Sequence, residues 1–390
     1  MLRSLYSGIS GLRSHQTMLD VTGNNIANVN TTAFKSSATQ FQDTLSQLTQ
    51  GAGAPGATTG GTNPAQIGLG VQVAGISTNF AQGSAQATGK STDMMISGDG
   101  FFVVRQGGET LYTRAGAFDF DAQGRLVTAD GAIVQGWTAV NGVIPTGGNV
   151  GPVRLPTSAV APATATTTAR VAGNLPSDAA VGTELVRDID VYDATGAART
   201  LALTFTRTAG GWDVAGDDGT ATGAGTLQFA NGALTPGGGT VTVGTVTIDL
   251  TGVSGFAELQ TVSIASQDGR ESGTLQSYSM SKDGTLVGSY SNGATQPIAR
   301  IALATFVNPG GLEKAGSSSY RTSINSGAAT LGTPGSDGLG SLLGGALEMS
   351  NVDLSQEFTN LIVAQRGFQA NARIITTSDE VLQELTNLKR

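Results

Sequence analysis

The chain has no cysteine and a single histidine among its 390 residues. The first absence excludes disulfides, thiolate metal sites and cysteine nucleophiles. The second means that any Ser-His-Asp arrangement has to use His15. Charge is scarce too: Asp, Glu, Lys and Arg together make up 13% of residues, against about 25% in ordinary domains. The net charge is −8 and no basic stripe appears, which argues against nucleic acid, whose phosphates demand clustered Lys and Arg. No run of about 20 apolar residues exists, so no helical membrane insertion is expected. The start, Met1-Leu2-Arg3-Ser4-Leu5, lacks a basic segment followed by a continuous apolar one, so no cleaved secretory signal is expected.

Gly is abundant, at 57 residues, and Ala, Thr and Ser fill much of the remainder. The hydrophobic share of 39% is enough for a core, and the length suits two or three domains. A surface this rich in small neutral residues suits contact between subunits.

The two ends resemble each other and differ from the middle. Leu2, Leu5, Ile9, Leu12, Gln16, Leu19, Gly23 and Ile26 alternate spacings of three and four, a heptad series with Gln16 and Gly23 as defects. Leu354, Phe358, Leu361, Gln365, Phe368, Ala372, Ile375, Asp379 and Leu382 repeat the spacing near the end. Asp353, with Gln356 three positions on, predicts a capping box for this second helix. Two readings stay open: amphipathic helices packed on their own domain, or helices that contact other subunits. The remaining faces bear on the choice. Ser4, Ser7, Gly8, Ser10, Gly11 and Ser14 stand where a solvated helix normally carries Glu and Lys, which permits close neighbours on more than one side.

Between the ends the chain reads as β. Phe101–Val104, Leu111–Thr113, Ala117–Phe120 and Arg125–Thr128 are short strands, with turns at Asp121–Gly124 and Asp130-Gly131. Ile189 and Val191, then Leu201, Leu203 and Phe205, alternate with polar residues around a turn at Asp193–Gly196. Thr240–Leu250 and Gln296–Val307 read as longer strands, and Lys282–Thr285 as a turn. Gln50–Pro64, Ala159–Ala169 and Leu331–Gly345 read as linkers. The expected fold is mainly β with α-helical termini. A discontinuous β domain (71–145 and 276–345) carries an inserted β domain (146–275). The terminal segments 1–70 and 346–390 supply helices that form a coiled-coil-like layer.

Sites of chemistry are not apparent. A lone His15 on a helix is ordinarily a surface or interface residue. Asp119, Asp121 and Gly124 begin like a calcium loop, but Arg125, Leu126 and Val127 follow in place of oxygen ligands, so a hairpin turn is the better reading. Asp188 and Asp190 share one strand face, as many solvated pairs do. The expectation is no enzyme, no cofactor and no metal. Asn24-Asn25-Ile26-Ala27-Asn28, continuing to Phe34-Lys35, reads either as an Asn-rich helix exit bonded to its own backbone or as an interface turn.

That segment carries a family resemblance. Asn24–Asn28 followed by Thr32-Ala33-Phe34-Lys35, with Ser7–Leu12 upstream, resembles the N-terminal signature of the bacterial flagellar rod and hook proteins. Ile96–Phe102 and Tyr112–Phe118 are similar to that family's shared β-domain motifs. Asn351–Phe358, Ala364–Ala372, Asp283–Gly288 and Tyr290–Gly293 resemble the hook member in particular. Gly367 departs from the Asn or Ala common there. The middle, 146–275, matches loosely. The resemblance implies a structural subunit of the extracellular flagellar hook. Such a subunit is exported without a cleaved signal and polymerises into a curved tube that passes torque from rod to filament. The tube's inner layer is helical and its outer layers are β domains. It implies contact with the rod, hook cap, hook–filament junction proteins and the export apparatus. The assembly residues are expected to be Leu2, Leu5, Ile9, Leu12, Leu19, Asn24, Asn25, Ile26, Asn28 and Phe34 at one end. At the other they are Leu354, Phe358, Leu361, Gln365, Phe368, Ala372, Ile375 and Leu382. The alternatives are a distal rod protein, which is shorter, or a secreted β-rich adhesin, which would leave the heptads without a purpose.

Overall fold

The computed structural model describes residues 2–140, 142–145, 147–156, 160–336 and 338–388. It is mainly β, with 44% of residues in strands, and has one long helix at each end, α1 (Leu2–Ala27) and α2 (Leu354–Asn387). Asp353 caps α2, its carboxylate accepting from the N–H of Ser355 at 2.9 Å and of Gln356 at 3.3 Å. That satisfies two of the donors a helix start leaves unpaired. The predicted capping box is one-sided: the Gln356 amide donates along the helix to Asn360 Oδ1 instead of back to residue 353.

The chain divides into two compact units, one of Met1–Leu155, Ser279–Val287 and Pro297–Arg390, the other of Pro156–Tyr278 and Gly288–Gln296. In the first unit, strand Phe101–Gln106 pairs antiparallel with Glu109–Thr113, Ile133–Thr138 and Leu303–Thr305. Gly107 and Gly108 join the first two strands with φ of 57° and 92°, the left-handed conformation a two-residue hairpin needs at both positions. The run Phe101–Val104 is buried throughout because both faces are covered. Phe102 packs edge-on against Phe118 at 5.0 Å. Phe101 and Val103 lie with Tyr112, Trp137, Phe306 and Tyr320 on the other side.

The same unit holds a feature that composition concealed. Ser37–Asp43 pairs with Val71–Thr78, and Ser46–Gln50 pairs with Ala65–Gly68. The Gly- and Ala-rich stretch read as a linker is the far end of this two-stranded ribbon, closed by a bridge between Gly53 and Thr62. Leu331–Gly345 is not a plain linker either: Ser341–Gly344 pairs with Met94–Ser97. Gln296–Val307 is interrupted between Ile301 and Leu303.

The second unit consists of two four-stranded sheets. One runs in the order Glu184–Tyr192, Ala198–Thr208, Gly211–Asp217, Thr222–Leu227. The other runs Thr240–Val243, Val246–Ser254, Thr168–Asn174, Ser263–Gln267. Strand alternation places Leu201, Leu203 and Phe205 on one face, where each is 0% exposed. Trp212, Val243 and Ile248 complete the interior. The predicted single strand Thr240–Leu250 is in fact a hairpin, with Gly244 (φ 59°) at its turn. Ala159–Ala169 includes the start of Thr168–Asn174, and Ala159 lies outside the described residues.

Candidate assembly surface

The helices α1 and α2 run antiparallel. A Cβ on Gly8 would lie 3.4 Å from Ile375 Cγ1, one on Gly11 2.7 Å from Asn371 Oδ1, and one on Gly367 2.5 Å from the His15 ring. The helices therefore meet along small residues. On α1 the buried positions are Gly8, Gly11, Ser14, Thr22 and Asn25, the stripe next to the apolar heptad. Val71 N–H donates to Ser10 Oγ at 3.2 Å, which brings the ribbon against the same helix. Leu5, Ile9, Leu12, Leu19 and Ile26 stay half-buried. The side chain of Leu2 lies outside the described residues.

On α2 Ala364 is the one buried residue among those described. Leu361, Phe368, Ala372, Ile375 and Leu382 are half-buried, while Leu354, Phe358 and Gln365 are exposed. A second apolar series, Ile374, Val381, Leu385 and Leu388, is also exposed. Its spacings of seven, four and three make it a second heptad stripe, one that the same three-four periodicity could have found. Val363, at 54% exposure, lies on the same face, and Ile362, at 56%, lies one turn after Phe358. Apolar exposure of this extent on one helix is more than a face left in water ordinarily carries. The ribbon has the same character. Residues 37–78 contain one charged residue, Asp43, and Leu45, Leu48, Ile67 and Ile76 are exposed on it.

The Asn-rich turn divides its work. Asn25 is 1% exposed, and its amide exchanges two hydrogen bonds with the Ser37 backbone at 2.8 and 3.0 Å, tying the end of α1 to the start of the ribbon. Asn28 bonds back to the Asn24 carbonyl at 2.9 Å, and Asn24 is exposed. Asn28 and Phe34 line a cavity of about 550 Å³ together with Thr31, Lys314, Ser318 and Tyr320. Lys314 sits over the Phe34 ring at 5.4 Å.

Beneath this turn lies a charged cluster. Lys35 Nζ donates to Glu348 Oε1 at 2.6 Å and to the Ala81 carbonyl at 2.8 Å. Gly83 N–H donates to the same carboxylate oxygen at 2.8 Å, and Arg114 Nη1 lies 3.5 Å from it. Lys35 and Glu348 are fully buried. Burial holds the Lys35 ammonium below its ordinary pKa, against the pull of Glu348, and pushes the neighbouring Tyr320 phenol up to about 12. Lys35 precedes the ribbon and Glu348 precedes α2, so the pair joins the two terminal segments at the β core. Lys35 and Arg114 fall within sequence motifs, whereas Glu348 carries no local signal because its partner is 313 positions away.

Asp121 accepts from the backbone of Gln123 and Arg125 and from the Arg125 guanidinium, as a hairpin turn requires. Asp188 and Asp190 lie on the exposed face opposite buried Ile189 and Val191. Among the described residues no group of three or more His, Cys, Asp and Glu side chains is placed to hold a metal. No helix among them is long and apolar enough to cross a membrane.

Three family models match. Residues 5–35 match the flagella basal body rod protein model, 95–169 the flagellar hook protein FlgE/F/G D1 domain, and 343–388 the flagellar basal body rod FlgEFG protein C-terminal model. With two open helices and a β core between them, the chain falls in the class of rod-and-hook structural proteins of the bacterial flagellum. It is 40% identical to the flagellar hook protein FlgE of Borreliella burgdorferi and 39% identical to that of Treponema pallidum, in each case over all of both chains. The flagellar basal-body rod protein FlgG of Bacillus subtilis is 37% identical, again over all of both chains. The chain belongs to the flagellar hook protein family and is a structural hook subunit.

Proposed function

We propose that this subunit polymerises through α1, α2 and the ribbon into the curved, flexible tube of the extracellular hook, which passes torque from rod to filament. The observation that carries the reading is the apolar surface left open on α2, with Phe358 51% and Ile362 56% exposed. A free subunit gains nothing from such a surface, whereas identical neighbours cover it in a repeating contact that does not close into a ring. The ribbon adds to it, since a two-stranded hairpin alone is marginal in water and this one carries almost no charge to keep it solvated. The assembly residues proposed are those of the two heptads together with Asn24, Asn28 and Phe34. Its partners beyond itself are proposed to be the rod, the hook cap, the junction proteins and the export apparatus, with export before folding and without a cleaved signal. No catalytic role is proposed.

Electron microscopy of hooks from Phe358→Asp and Ile362→Asp strains tests the contact. A charge placed in a buried seam costs several kcal/mol, so tubes are expected to be lost while the β units unfold as in the wild type. Normal tubes from both variants would refute it. Residues 146–275 are proposed as an inserted outer module that biases curvature. Hooks lacking them are expected to be straighter or differently stiff, and wild-type curvature would overturn that role.

A further inference from the structure

We infer that His15 and Gly367 are a matched knob and hole that, with a reversed copy one turn away, set the register of α1 against α2. A Cβ on Gly367 would lie 2.5 Å from His15 Cε1 and Nε2 and 2.9 Å from Cδ2. The imidazole therefore occupies the space that a side chain at 367 would need. One turn along, the roles exchange: a Cβ on Gly11 would lie 2.7 Å from Asn371 Oδ1 and 2.8 Å from its Cγ and Nδ2. The Asn371 side chain is held in place by its own bond to the Gly367 carbonyl at 2.9 Å. Residues 11 and 15, like 367 and 371, are four apart and share a helix face. Each helix thus presents one large and one missing side chain, and in an antiparallel pair they interlock in one register. A slip of one turn in one direction sets His15 against Asn371. A slip in the other sets Gly11 against Gly367 and leaves a void. Both alternatives lose packing.

His15 is closed on a third side by Phe41 of the ribbon, with ring centroids 5.8 Å apart. Its Nδ1 is removed from solvent and has no hydrogen-bond partner among the described residues, so shape is what the ring contributes here. Glycine is the poorest residue for a helix interior apart from proline. Two glycines facing two side chains are accounted for by the interlock. The register matters because it sets where the open apolar stripe of α2 lies along α1. His15 and Gly367 are therefore positioning residues for self-assembly, an inference that rests on the polymer reading above.

The test is a double-mutant cycle on the full chain, read as the critical concentration for tube formation. Gly367→Ala is expected to raise it on the order of tenfold, the effect of modest overpacking, and His15→Ala to raise it less. His15→Ala/Gly367→Ala is expected to recover most of the loss, because the new methyl fills the vacated space. The reciprocal pair Gly11→Ala and Gly11→Ala/Asn371→Ala is expected to behave in the same way. If Gly367→Ala assembles as well as wild type or better, as helix propensity alone dictates, or if the double variant is no better than Gly367→Ala, the lock is overturned. A wild-type chain that stays monomeric at every concentration overturns the polymer reading instead. The lock is then decided by thermal loss of helical circular dichroism, where the same ranking supports it and a Gly367→Ala gain refutes it.

Discussion

The second β unit and the helix pair of the first solve opposite problems. In the sandwich, Val191, Leu201, Leu203, Phe205 and Ile248 are each 0% exposed, so the unit closes its own core. In the helix pair, α2 buries Ala364 and leaves Phe358, Ile374, Val381 and Leu385 open. The contact within the chain seats α2 side chains, Ile375 and Asn371 among them, on the glycines of α1, while Phe358, Val381 and Leu385 stay exposed. The contrast teaches that apolar residues in one chain serve two purposes, and that burial, not composition, tells them apart. Within the first unit, the Lys35–Glu348 pair fastens the open ends to that unit's own β core by charge.

The sharpest way to break this comparison is to remove one large side chain from each region. Trp212→Ala is expected to destabilise the sandwich by about 3–5 kcal/mol, whereas Ile362→Ala, at a side chain 56% exposed, is expected to change the free subunit's stability by roughly 0.5 kcal/mol or less. Equal losses in urea unfolding would show that the helices are as closed as the sandwich.

The junction predicts a cost of similar size by another mechanism. Lys35→Ala leaves Glu348 buried without its nearest cation, at about 3–5 kcal/mol. Limited proteolysis is expected to cut the variant between residues 28 and 36 and after 348. A cutting pattern identical to wild type would remove the junction from the account.

Acid separates the regions more gently. Asp193 is held below its ordinary pKa by the Thr195 hydroxyl and the Ala197 N–H. Asp218 and Asp249 are lowered first by the Thr220 and Thr251 hydroxyls. At Asp268 desolvation pushes upward but is outweighed by the hydroxyls and N–H groups of Thr167 and Thr168. A carboxylate with a lowered folded pKa stabilises above its unfolded value, about 3.9, and that stabilisation fades as pH falls through and below it. All four lie in the second unit, against Asp121 in the first. Calorimetry at pH 7 and pH 3 is expected to show the larger relative loss in the sandwich transition, and a larger loss in the first unit would contradict this. Asp353→Ala is expected to cost about 1 kcal/mol of helix stability, measured as a lower melting temperature of the helical circular dichroism signal.

Much of this was legible in the residues. The three-four spacing identified both helices, and period-two alternation placed Leu201, Leu203 and Phe205 inward, because each is a property of consecutive residues. The site was legible in part. Phe358 and Leu354 are open as a contact reading requires, but Asn25 sits in an internal bond that its neighbours in sequence do not announce. The ribbon was hidden because pairing between Ser46–Gln50 and Ala65–Gly68 depends on backbone groups, while Gly, Ala and Thr look the same in a linker.

By itself the sequence determined the helical ends, the β middle and the family. Those follow from local periodicity and short motifs. The tertiary structure alone decided that α1 turns its glycine stripe rather than its leucines toward α2, that Glu348 meets Lys35, and that His15 fills the space at Gly367. These are contacts between residues about 310 to 360 positions apart, and only the folded chain brings them within packing distance.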